Sequence, residues 1–103
     1  MYRIDLDWKF KGLDGKEMEG DDEAVHAGKF LAGALSQQRE SKHPEKNWEW
    51  GLSLFKRQPL LIDSSDFKLL KEFISSHRGI FAIAQAQLLI AFDEAKQDQK
   101  EEK

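Results

Sequence analysis

MYRIDLDWKFKGLDGKEMEG, residues 1–20, decides the class of the fold. Tyr2, Ile4, Leu6, Trp8 and Phe10 alternate with Arg3, Asp5, Asp7, Lys9 and Lys11, a period of two that gives an extended chain one apolar and one charged face. Such a segment is a strand with one side buried. The turn after it fixes which side chains meet. A two-residue loop at Asp14-Gly15 sets Phe10 against Glu19 and Lys11 against Met18, mixing apolar with charged on both faces. A three-residue loop of Leu13, Asp14 and Gly15, with the glycine left-handed, sets Phe10 against Met18, Lys11 against Glu17 and Lys9 against Glu19. The second register matches apolar with apolar and opposite charges with each other, and predicts a β-hairpin.

Beyond the hairpin the period changes to that of helices. Asp21 and Asp22 supply an N-cap and acidic first turn for a helix to about Gln38, with Ala24, Ala27, Gly28, Leu31 and Leu35 down one face and Phe30 beside it. Gly28 and Ala32, four apart, read as tight packing on the sheet or a neighbouring helix. A polar connection, QRESKHPEK (38–46), leads to Pro44, which suits the first turn of a helix over roughly 44–57. Gln58-Pro59 ends that helix, and Leu60, Leu61 and Ile62 form a short third strand beside the hairpin. IDSSDF (62–67) is a helix start: Asp63 is the N-cap, Asp66 the third helical residue, and Ile62 and Phe67 a hydrophobic staple. Phe67, Leu70, Phe73 and Ile74 make its apolar face, and His77, Arg78 and Gly79 its cationic end and left-handed stop. The last helix, about 80–97, is apolar most of the way round through Ile80, Phe81, Ile83, Ala84, Leu88, Leu89, Ala91 and Phe92, which predicts a central position. The expected architecture is α+β: an N-terminal β-hairpin with a short third strand near 60–62, packed against about four α-helices. Residues 1–97 form a single domain, and 98–103 a polar, disordered tail.

The composition excludes several chemistries. With no cysteine among 103 residues there is no disulfide framework, thiolate zinc site or cysteine nucleophile, which agrees with a cytoplasmic setting. The charged N-terminus is unlike a signal peptide, and the apolar stretch at 79–92, interrupted by Gln85 and Gln87, is short of the roughly 20 residues that span a bilayer. A net charge of −3 lacks the excess of a general nucleic-acid binder. His26, His43 and His77 have no ligand spacing, Ser64 and Ser65 belong to a helix cap, and Gly12, Gly15 and Gly20 are turn glycines. The six carboxylates in 14–23 read as solvated, paired with Lys9 and Lys11, and favouring the helix start. No catalytic residue, metal ligand or cofactor site is expected, and the protein reads as non-enzymatic.

NWEWGLSLF, residues 47–55, then raises the question of partners. At 100° per residue Trp48, Leu52 and Phe55 form one stripe, and Trp50 and Leu54 lie on the far side. Two readings compete. In one, Trp48 sits in the core and Trp50 covers a neighbouring helix or loop. In the other, Trp50 and Leu54 are partly exposed and anchor a protein interface, with Lys56 and Arg57 beside them, so that the chain is an adaptor, an assembly factor or a homo-oligomer. A further alternative places nucleic acid on the basic and aromatic region 42–57 through Lys42, Lys46, Lys56 and Arg57, although Glu40, Glu45 and Glu49 repel phosphate there.

The succession of the alternating strand, LDGKEMEG, AGKFLAGAL, NWEWGLSLF, IDSSDFKLLKEFI and AQAQLLIAF resembles small phage- and prophage-encoded proteins that mostly carry no assigned function. The resemblance spans most of the chain and carries over no active-site residue. It implies a viral or mobile-element origin and a role in assembly or regulation through protein contacts.

Overall fold

The computed structural model describes residues 1–37, 43–77 and 80–95. Its elements are β1 (Tyr2–Ile4), α1 (Asp22–Val25), α2 (Ala27–Ser36), α3 (Pro44–Phe55), β2 (Leu60–Ile62), α4 (Ser64–Ser76) and α5 (Ala82–Glu94). This is an α+β protein. Contacts gather into two compact units, one of Met1–Asp5 with the chain from Pro59 onward, the other of Leu6–Gln58.

In the first unit β1 and β2 pair antiparallel, with Tyr2 opposite Ile62 and Ile4 opposite Leu60. The expected strand at 60–62 therefore forms, as the regular partner of the lead strand. Ile4, Leu60 and Ile62 are buried and Leu61 faces out, as period two requires. Asp63 caps α4 by accepting the Asp66 N–H at 2.8 Å, and Phe67 stacks on Tyr2 at 4.1 Å between ring centroids. Leu70 and Ile74 of α4 and Ala84, Leu88 and Phe92 of α5 are buried, and the two helices pack together. The Gln85 side-chain amide donates to the Ile74 and Ser75 carbonyls at 2.7 and 3.0 Å, satisfying acceptors left over at the end of α4. That end is at Ser76 with His77 as its cap; Arg78 and Gly79 of the expected stop, and the tail at 98–103, lie outside the described residues.

The central position expected for the last helix is not observed. Phe81 and Ile90 are 73% and 53% exposed. A helix that buries only residues four apart presents one stripe, and apolar residues elsewhere on it stay in water.

In the second unit the hairpin turn closes in the three-residue register. Gly12 N–H donates to the Lys16 carbonyl at 2.9 Å, Lys11 bridges Glu17, Met18 N–H donates to the Phe10 carbonyl at 2.8 Å, and Gly15 has φ +83°. The ladder is short, because Lys9 forms its bridge with His26 where alternation pointed to Glu19. Leu6 and Phe10 are buried, and Phe10 meets the edges of Trp8 and Phe30.

The single helix expected from Asp21 to Gln38 is two, broken at His26, whose ψ of 124° is extended. The break is stabilised by complete pairing of the new helix start. The first two N–H groups of α2, on Ala27 and Gly28, donate to the Trp8 and Leu6 carbonyls at 2.7 and 2.9 Å. The third, on Lys29, donates to His26 Nδ1 at 3.2 Å. The extended lead segment thus acts as the cap of α2, and a non-helical His26 is the conformation that allows it.

Candidate docking groove between two helices

The groove is built on a close approach. A Cβ on Gly28 would lie 3.1 Å from the Leu54 carbonyl and 3.2 Å from that of Leu6, so α2 touches backbone on both sides there. Further along, a Cβ on Gly51 would be 3.7 Å from the Ala32 carbonyl. Small residues on α2 and α3 thus face each other, as the spacing of Gly28 and Ala32 suggested, and the partner is a helix. With the two backbones this near, the larger side chains are displaced to the edges of the contact.

On one edge Trp50 and Leu54 are 9% and 1% exposed. The proposed exposed patch at Trp50 and Leu54 is therefore corrected: both are core. At 100° per residue Leu54 and Trp50 lie about 60° and 100° round from Gly51, on the side away from the Trp48 stripe. On the other edge Trp48, Leu52 and Phe55 are 69%, 39% and 50% exposed. One tryptophan is buried and one is free, with the roles exchanged. Gly51, the one glycine of α3, marks the side that meets α2 but does not choose between the two stripes, since at 100° per residue it lies about 60° from both Trp48 and Leu54.

Trp48, Leu52 and Phe55 line a groove of about 690 Å³, with Ala32, Gly33 and Leu35 of α2 opposite and Lys29 at one end. The Lys29 ammonium lies over the Phe55 ring, 5.2 Å from its centroid, and is 2.8 Å from Asp22 Oδ2.

Arg57 anchors that end from below. It sits just past α3 with φ 62°, where glycine is favoured. The Arg57 N–H donates to the Leu54 carbonyl at 3.0 Å and the Gln58 N–H to that of Ser53 at 2.9 Å, a complete Schellman closure. The left-handed turn sends the guanidinium to Asp22 at 2.9 Å and, more loosely, to Asp7 at 3.8 Å. The Lys29 hydrogen bond, aided by Arg57, lowers the Asp22 pKa from 3.8 to about 2 against a smaller opposing effect of desolvation. Arg57, proposed as a partner contact, is thereby engaged within the chain. Lys56 is exposed and Lys46 half-buried, and Lys42 lies outside the described residues.

His26 and Asp7 form the one buried-histidine pair among the described residues, at 2.9 Å. Because Nδ1 accepts the Lys29 N–H, Nε2 carries the proton and donates it to Asp7. Both ring nitrogens are committed within the chain, so His26 ties the lead segment to the start of α2. Of the six carboxylates in 14–23, Asp14 accepts from the Lys16 N–H at 3.0 Å, Asp21 caps α1, and Asp22 pairs with Lys29 and Arg57. Among the described residues no three histidine or acidic side chains converge as a metal site, and no helix is long and apolar enough to cross a membrane.

Comparison with protein-family models, with curated proteins and with solved structures finds no match.

Proposed function

We propose that the protein is a small non-enzymatic interaction module that docks a protein partner on the Trp48–Leu52–Phe55 stripe and the groove beside it. The observation that carries this reading is the exposure of Trp48 on a helix whose other tryptophan is buried. An indole left in water beside a leucine and a phenylalanine offers apolar area that association removes from solvent, and tryptophan is enriched among the residues that dominate interface energies. An accessory or assembly function in a phage or prophage, exercised in the cytoplasm, is the setting suggested by the resemblance of the segment order.

The reading is tested with the tagged full chain and its Trp48→Ala variant, each used to retain proteins from an extract of the encoding cell. A protein held by the wild-type chain and lost with Trp48→Ala is expected; identical retention by the two chains contradicts the reading.

A further inference from the structure

We propose that the groove's occupant is a second copy of this chain, seated by an antiparallel α3–α3 contact about a two-fold axis near Leu52. This rests on the docking reading above and adds the identity of the partner.

The stripe is complementary to itself. Residues 48, 52 and 55 stand at i, i+4 and i+7. Run antiparallel against its copy, the stripe sets Trp48 against Phe55 and Leu52 against Leu52, so each large ring meets a ring and the smaller side chains meet at the axis. Gly33 and Ser36 on the α2 side of the groove leave room for the incoming ridge.

Charge selects the direction. Glu45, Glu49 and Lys56 are all exposed, and at 100° per residue all three lie on the same side of the stripe, roughly 60–100° round from Trp48. The rim is acidic toward the start of α3 and basic at its end. A two-fold across the helix keeps these rims together and places Lys56 of one copy between Glu45 and Glu49 of the other, and does so twice. A parallel pair, with its two-fold along the helices, would send the two rims to opposite sides and make no such contact. The antiparallel arrangement also opposes the two helix dipoles.

The size sets the strength. Trp48 and Phe55 are 69% and 50% exposed, so the stripe removes a few hundred Å² per copy, short of the roughly 800 Å² of a standard interface. Reversible association, micromolar or weaker, is the consequence.

Sedimentation equilibrium of the purified full chain, from about 1 μM to about 1 mM, tests this. A monomer–dimer equilibrium is expected. Glu49→Lys and Lys56→Glu should each weaken it about tenfold, because two opposite-charge contacts become two like-charge ones. An equal mixture of the two variants should recover it, since both contacts are opposite in sign in the mixed pair. Unchanged urea midpoints would show that the exposed substitutions leave the fold intact. A monomer throughout the range, a dimer insensitive to both charge changes, or a mixture no stronger than its components overturns the proposal. If the pure chain is monomeric while another protein is still retained in a Trp48-dependent way, self-pairing fails and the docking reading stands; if neither occurs, both fail.

Discussion

Asp22 carries more of the second unit than its place in a one-turn helix suggests. It receives Lys29 from α2 and Arg57 from the end of α3, and these cations hold its pKa near 2. A folded-state pKa below the unfolded value means that the stabilisation is fully present above about 3.8 and is lost as the pH falls through about 2. Asp22→Asn should therefore flatten the decline in stability between these limits, measured as urea midpoints at pH 5, 3.5 and 2.5; equal acid slopes in the two chains would show that the pairing contributes nothing. At this scale the sequence is a poor guide. Asp22 was legible only as a helix-start acid, because its partners lie 7 and 35 positions away. His26 gave no local sign that its ring caps a helix, since the acceptor role depends on a backbone break imposed by the lead segment.

At the scale of elements, local periodicity and caps placed the strand at 60–62 and the starts of α3 and α4, but not the length of the lead strand, which is regular only over Tyr2–Ile4, nor the break at His26. Asp63, Pro44 and Gly15 each act as their residue types demand. What was not legible was which face of a two-sided helix turns inward, since Trp48 and Trp50 are equally apolar and only contact with α2 distinguishes them. The same contact separates the glycines of α2. Gly33→Ala meets nothing within 4 Å and should stabilise by about 0.5–1 kcal/mol through helix propensity. Gly28→Ala drives a methyl group against two carbonyls at 3.1 and 3.2 Å and should destabilise by about 1–3 kcal/mol. Thermal or urea unfolding of both variants checks this; two shifts of the same sign would refute the close approach.

For the molecule as a whole, the decisive feature is that α3 divides its two indoles between core and solvent. Apolar surface is also exposed elsewhere, at Phe81 and Ile90 of the first unit, so exposure alone does not single out α3. The feature particular to α3 is an aromatic pair at helical spacing beside a groove, with a charged rim that discriminates direction. The most direct measurement compares urea unfolding of Trp50→Ala and Trp48→Ala at concentrations below any self-association. Trp50→Ala should lose about 3–5 kcal/mol, as for a large buried side chain, and Trp48→Ala less than about 1 kcal/mol. Equal losses, or the larger loss at Trp48, would place the wrong tryptophan in the core and contradict the account.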